Sequence, residues 1–263
     1  MNTLKHFILW VRVPVEEASP KTISEYIEFL LDKGLKPKTI NSHLDSIRGF
    51  YHYLHREEEV AVVNPVKRGY VLRLPRPLPR YLKDDEVERF LAVPKKARDN
   101  AMFYLMLRCG LRVEEVADLT LSNIDFRRGK ILVCGKGAKD RVVYISKDAF
   151  HALLKYLKVR RFERAKGVFL VEKGTFKGKP ISVRGIQKRM EYYSKKAGLE
   201  VSCHRLRHTM ATQLLNADAD LETIQDLLGH NWITTTQRYC KVSNLKVQRD
   251  YFKAMEKVLN RSR

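Results

Sequence analysis

Acidic side chains are in short supply: 30 Asp and Glu face 51 Lys and Arg, leaving the 263-residue chain with a formal charge of +21. So large a positive field attracts polyanions, and nucleic acid is the commonest of these. Ribosome-associated and thermophilic proteins can be equally basic without acting on DNA, and an anionic membrane surface is a weaker candidate. Cysteine is scarce as well. Cys109, Cys134, Cys203 and Cys240 are scattered and form no close pair, which argues against a disulfide framework and for reduced thiols in the cytosol. Long apolar runs are missing: "FILWV" at residues 7–11 is too short to span a bilayer, and no signal-peptide cleavage pattern follows it. The expectation is a cytoplasmic protein with no membrane partner. Internal repeats and low-complexity tracts are also absent.

What remains is the balance of a globular protein, 44% hydrophobic and 31% charged, with length enough for two domains. Residues 1–66 read as a helical module. "SPKTISEYIEFLLDKG" places Ile23, Tyr26, Ile27 and Leu30 at helical spacing and stops at Gly34. "KPKTINSHLDSIRGFYHYLHREE" starts with Pro37 near a first turn and repeats Ile40, Leu44, Ile47, Tyr51 and Leu54. The proline-rich stretch that follows reads as a linker over 67–80. Its Arg73, Arg76 and Arg80, with Arg68, would suit a strap across a phosphate backbone, and would equally suit solvent. A second domain, 81–263, begins where Asp84 or Asp85 can cap a helix. Helices are expected over 98–110 and 112–119, then a hairpin of strands 130–134 and 141–145, then mostly helix with a short strand at "VFL" (168–170). The fold class is mostly α with a small sheet or hairpin.

Four segments of the second domain carry candidate chemistry. In "CGLRVEEVADL", Arg112 falls at the start of a helix with Glu115 three residues on, a spacing that also suits an ordinary surface ion pair. Lys136 sits at the tip of the hairpin, with Lys139 and Arg141 close by; a lysine in a glycine turn is either solvated or able to reach into a groove and deliver a proton. In "SCHRLRHTMATQLL", His204, Arg205, Arg207 and His208 crowd the first turns of a helix, where cations oppose the macrodipole and no acid balances them. Ser202 can cap this helix. A bound anion would resolve the conflict, since backbone N–H groups, a guanidinium and an imidazole would converge on one phosphate. The alternatives are a solvated basic helix end or a metal held by His204 and His208, which lacks a convincing third ligand and would lie among arginines. In "DLETIQDLLGHNWITTTQRYCKV", Asp220 can cap a helix ending at Gly229, followed by His230 and then Tyr239.

Singly these segments decide nothing. Together, Arg112 in "GLRVEE", Lys136 in "GKGAKDR", "HRLRHTMAT", "LLGH" and Tyr239 in "TTTQRY" occur in the order found in tyrosine recombinases. The chain resembles a compact Xer-type or integrase-type member over nearly its whole length, residues 1–66 resembling the family's core-binding domain. It departs from the Xer pattern at Cys240 and Lys241 after the tyrosine, at Cys203 where proline is common, and at Trp232. The resemblance implies site-specific recombination of double-stranded DNA through a 3′-phosphotyrosyl intermediate, with neither metal nor ATP and no other cofactor. It implies Tyr239 as nucleophile, Arg112 and Arg207 as phosphate clamps with His230 as a further donor, His204 as proton acceptor or phosphate ligand, and Lys136 as the acid. Glu115 would brace the cluster; Lys139, Arg141, Arg205, Arg73, Arg76 and Arg80 are DNA-binding candidates. It also implies a tetramer on DNA, with a C-terminal amphipathic helix over 245–260 exchanged between protomers, although that helix could pack on its own domain. A silent DNA-binding accessory protein and a topoisomerase-like nicking and resealing enzyme are the competing readings.

Overall fold

A computed structural model describes residues 3–74, 80–134, 140–161 and 165–229. The chain divides into two units, Met1–Pro77 and Leu78–Arg263. It is mostly helical with one small sheet.

The first unit is built on α1 (Thr3–Trp10), α2 (Pro20–Asp32) and α3 (Pro37–Arg56). Both longer helices open with proline in the first turn, where its missing N–H costs no hydrogen bond. Ser19 caps α2 by accepting from the Thr22 amide. The expected periodic residues Ile23, Tyr26, Ile27, Leu30, Ile40, Leu44, Ile47 and Tyr51 are all buried in one core. Tyr26 is wholly enclosed, and its hydroxyl lies 2.7 Å from His6 Nδ1 and 2.9 Å from His43 Nδ1. Residues after 66, the start of the stretch read as linker, are tied to this unit. Asn41 grips Leu72 twice, receiving its amide and donating to its carbonyl at 2.9 Å each, and the Tyr70 hydroxyl donates to Pro20 O.

In the second unit, α5 (Ala97–Arg108) is the buried central helix, packed against α7 (Lys147–Val159) and α9 (Cys203–Asn216). Around it lie α4 (Asp84–Leu91), α6 (Val113–Ala117), α8 (Val183–Ala197) and α10 (Leu221–Leu228). The expected hairpin forms as β2 (Lys130–Val133) and β3 (Arg141–Tyr144), antiparallel with Ile131 opposite Val143 and Leu132 opposite Val142. A two-residue strand β1 (Ile124–Asp125), missed by pattern reading, adds to the β2 edge. Ile131, Val133 and Val143 face the core, as the period of two requires.

Three expectations are corrected. "VFL" makes no strand: Val168, Phe169 and Leu170 are buried as one would expect of a strand, but pair with neighbouring chain only at isolated bridges. Neither Asp84 nor Asp85 caps α4, because Lys83 occupies the cap and its amide donates to Glu86 Oε2 at 2.8 Å. Asp84 instead accepts from Gln213. The helix expected over 112–119 is shorter, with Arg112 as its cap.

The core also holds a polar knot. Asp99 is 0% exposed and accepts from Arg98 and Arg189, while the Tyr193 hydroxyl donates to it at 3.1 Å. Removing one partner of such a network strands the rest without compensation, so Asp99→Ala should lose about 3–5 kcal/mol of unfolding free energy. Urea denaturation followed by circular dichroism measures it.

Candidate phosphate-binding site

Gly110 turns the chain between α5 and α6 with φ +63°, and a Cβ there would lie 3.0 Å from Leu228 Cδ2 and 3.2 Å from Met210 Sδ. Only glycine lets α9 and α10 pack this closely on the turn. The consequence is that Arg112 at the head of α6, Arg207 on α9 and the end of α10 meet in one place.

Arg207 is 3% exposed, and its guanidinium donates to Gly110 O and Leu228 O. Arg112 donates through Nη2 to Gly229 O at 3.1 Å and through Nη1 to Glu115 Oε1 at 2.9 Å. Arg141, reaching in from β3, donates Nε to Leu227 O at 2.9 Å and both terminal nitrogens to the two Glu115 oxygens at 2.7 Å each. Three arginines thus take the carbonyls of residues 227, 228 and 229 in succession. These are the last carbonyls of α10, which have no partner further along the helix and lie at the negative end of its dipole. The cationic residues at the head of α9 are therefore offset in part by a second helix's C-terminus.

Glu115 is the acid among them. Burial raises its pKa, but the fork from Arg141, the Arg112 amide at 2.7 Å and the Arg112 side chain outweigh that and hold it down to about 2.

Ser202 caps α9 by accepting from the Arg205 amide at 3.1 Å. His204 is exposed, and its ring meets that of His208 edge-on at 4.2 Å between centroids. A cavity of about 650 Å³ opens beside it, lined by Arg112 and Glu114, by Arg184 and Lys195 of α8, and by His204 and Arg207 among others. A second hollow of about 480 Å³ shares His204 and is lined also by Arg80, Arg205 and His208. Arg112, His204 and Arg207, 95 residues apart from first to last, are thus brought to one cavity. Pattern reading missed Arg184 and Lys195; they sit on the polar face of an amphipathic helix and carry no motif. Burial pushes the Cys203 thiol up to about 11, so it stays protonated at neutral pH and is a poor nucleophile.

The remaining candidates divide. Arg205 donates to Tyr81 O at 3.2 Å and to Glu200 O, and Arg80 pairs with Glu200 at 3.2 Å on the surface. Arg141 is turned inward with its side chain 10% exposed, an orientation suited to holding Glu115 and not to meeting a ligand's backbone. Arg73 is exposed. Lys136, Lys139, Arg76, His230 and Tyr239 lie outside the described residues, as do Trp232, Cys240, Lys241 and the 245–260 segment. Among the described residues, no three His, Cys, Asp or Glu side chains are grouped to hold a metal ion, and no helix is long and apolar enough to cross a membrane.

Two outcomes follow from the arginine–carbonyl ladder. Gly229 has φ +59°, and a Cβ there would lie 3.0 Å from Arg141 Cδ; Gly229→Ala should destabilise the protein by about 1–3 kcal/mol in chemical denaturation. For Glu115, a folded pKa below the ordinary 4.5 means that its contribution is complete above about pH 4.5 and is lost as pH falls towards 2. Acid titration of stability should therefore be shallower in Glu115→Gln than in wild type over that window.

Residues 80–245 match the phage integrase family, and residues 1–58 match the phage integrase N-terminal SAM-like domain. The chain is 34% identical over 248 residues to tyrosine recombinase XerD of Pseudomonas putida, covering 90% of this chain and 82% of that protein. It is 33% identical over 266 residues to tyrosine recombinase XerA of Thermococcus kodakarensis, covering 98% and 92%. Among solved structures, the XerH site-specific recombinase bound to palindromic difH substrate in a post-cleavage complex aligns with a TM-score of 0.76 and 21% identity, over 94% of this chain and 75% of that one. The likeness to XerH extends to the fold.

Proposed function

The chain belongs to the phage integrase family and is a tyrosine recombinase, and on that premise we propose that it recombines double-stranded DNA at specific sites with Tyr239 as the nucleophile. The observation that carries the reading is the placement of Arg112, Arg207 and His204 around one cavity open to solvent. The Tn1549 transposon integrase, which has the same fold (TM-score 0.74), is solved in complex with a circular intermediate DNA, and this supports the choice of polyanion.

Chemically the cavity suits a phosphodiester. The Tyr239 oxygen attacks phosphorus in line, the P–O5′ bond breaks, and a 3′-phosphotyrosyl link forms with release of a 5′-hydroxyl. A phenol with a pKa of about 10 needs help to lose its proton, and in this reading His204 accepts it. Lys136 supplies the proton to the departing 5′ oxygen. Charge grows on the non-bridging oxygens meanwhile, and Arg112 and Arg207 answer it, with His230 as a further donor. Glu115 keeps Arg112 oriented. The 5′-hydroxyl of a partner strand then reverses the step at a new junction. The ester bond energy is conserved in the tyrosyl link, so the cycle requires neither ATP nor a metal.

In this reading residues 1–66, within the first unit, form the core-binding domain, 81–263 form the catalytic domain, and 67–80 are the linker, whose Tyr70 and Leu72 are held on the first unit. Arg73, Arg76, Arg80, Lys139 and Arg205 contribute to the basic surface that meets DNA. The working assembly is a tetramer on DNA, with the 245–260 segment exchanged between protomers, and the protein acts in the cytoplasm beside its DNA.

A pool of nicked duplexes of randomised sequence provides the test, because cleavage a few nucleotides from the nick releases the short fragment that bears the 5′-hydroxyl and traps the enzyme. Wild type should yield an adduct that survives denaturing electrophoresis, and Tyr239→Phe should yield none. An adduct persisting in Tyr239→Phe would move the nucleophile elsewhere, to Tyr251 for example. Adding a second intact duplex and finding strand exchange separates recombination from nicking and resealing, and a protein that binds the pool without any adduct is an accessory factor. Affinity should also fall by about a thousandfold or more between 50 and 200 mM salt if the duplex is wrapped through six or more phosphate contacts.

A further inference from the structure

Arg141 has no place in the chemistry above, yet it donates three side-chain hydrogen bonds at the site, to two different elements. Its forked guanidinium bonds both Glu115 oxygens from β3, and its Nε holds Leu227 O at the end of α10. Glu115 in turn holds the Arg112 amide and side chain. Gly229, at φ +59°, packs tightly on the Arg141 side chain: a Cβ there would lie 3.0 Å from Cδ, 3.2 Å from Nη1 and 3.3 Å from Nε, so the arginine would have to give way. One residue thus joins the strand that follows residues 135–139, the helix that Arg112 caps, and the end of α10, after which His230 and Tyr239 come in sequence.

We infer that Arg141 is a positioning residue for strand cleavage: it sets Arg112 through Glu115, and it sets the exit of the chain after Gly229 through Leu227 O. The inference rests on the proposed roles of Arg112, His230 and Tyr239. Arg141 does not itself touch the phosphate; a side chain 10% exposed, with its donors already given to a carboxylate and a carbonyl, is badly placed to do so. Lysine cannot replace it, because a single ammonium cannot span two carboxylate oxygens and a carbonyl with fixed planar geometry.

The arrangement also makes a pH signature. The charged groups facing Glu115 are Arg112 at the head of its own helix and Arg141 from β3, while Arg207 from α9 stands on the neighbouring carbonyls and Glu114 faces the cavity. With both arginines present the carboxyl is ionised throughout any workable range. With Arg141 gone, burial and one remaining guanidinium compete, and the carboxyl titrates at higher pH. Once protonated it no longer carries the charge that orients Arg112.

The experiment uses the full chain and a nicked duplex recovered from the randomised pool by its adduct with wild type. Single-turnover adduct formation at saturating protein should fall by about a hundredfold in Arg141→Met, with Arg141→Lys restoring only part of it. The duplex Kd should stay within about twofold, and the salt slope should be unchanged. The ratio of Arg141→Met to wild-type rate should shrink by about tenfold from pH 8 to pH 5, and Glu115→Gln in the same background should flatten that ratio. Should Arg141→Met fail to fold by circular dichroism, Arg141→Lys carries the same pH comparison. A wild-type-shaped profile in the folded variants overturns the inference. So does a weaker Kd with a salt slope reduced by about one and an unchanged saturated rate, which would make Arg141 a phosphate contact. Failure of the underlying reading looks different, because wild type itself would then form no Tyr239-dependent adduct.

Discussion

The arrangement of the site depends on the last carbonyls of α10. Arg141, Arg207 and Arg112 donate to residues 227, 228 and 229 in turn. Three guanidiniums this close would repel one another if only solvent stood between them. A helix C-terminus offers partial negative charge already fixed in direction, and Glu115 adds a full one. Three cations against one carboxylate leave two positive charges in this cluster, and around the cavity Arg184 and Lys195 are matched by Glu114 and Glu191. A phosphodiester brings one negative charge, and more gathers on its non-bridging oxygens as a nucleophile closes in. On the proposed reading the site is therefore under-neutralised at rest and best matched when the reacting phosphate is most highly charged, which is the condition for stabilising a transition state beyond its ground state.

That match needs the guanidiniums to hold still. Helix-end carbonyls lack a partner within the helix and need a donor once they leave water; the guanidiniums supply it, and the carbonyls in turn orient each plane without cancelling its charge. Gly110 and Gly229 make the approach possible at the two turns, each in the left-handed region and each with a neighbour at 3.0 Å where a Cβ would stand. The two glycines look like ordinary helix stops in sequence. Their further role, admitting arginine and methionine side chains against the backbone, belongs to the packed state.

Periodicity made most of the helices legible. Ile23, Tyr26, Ile27 and Leu30, or Ile40, Leu44 and Ile47, repeat at the helical interval because each helix buries one face, and the structure buries those faces. The hairpin was equally plain from its two β-branched runs around a glycine turn. Arg112, His204 and Arg207 could be named from motif order, and they share a cavity. What could not be read was the direction in which each arginine points. Arg141 and Leu227 are 86 residues apart, Arg207 and Gly110 are 97 apart, and Arg112 and Gly229 are 117 apart. No local pattern encodes such pairings. A surface reading of Arg205 failed to foresee its bond to Tyr81 O for the same reason, and "VFL" has strand composition but lacks a partner segment long enough to pair with it.

The second unit holds two clusters of almost the same composition, and they differ in how far their cations reach the surface. Asp99 with Arg98, Arg189 and Tyr193 is a carboxylate between two guanidiniums, as is Glu115 with Arg112 and Arg141. Around Asp99 the bonds close on themselves: Arg98 also caps Leu170 O, Arg189 also holds the Tyr193 hydroxyl, and Asp99 itself has no exposed surface. Its charges are spent on tying α5 to α8. Around Glu115 the closure is incomplete on one side, where Arg112 keeps 41% of its side chain exposed to the cavity that His204 and Arg207 also line. The chemistry of the groups is the same, and access is different. A buried ion network can take an anion when one of its cations is left facing a space that the anion can enter; Arg112 faces such a cavity with 41% of its side chain exposed, against 28% for Arg189, and on the proposed reading it is the cation that does so.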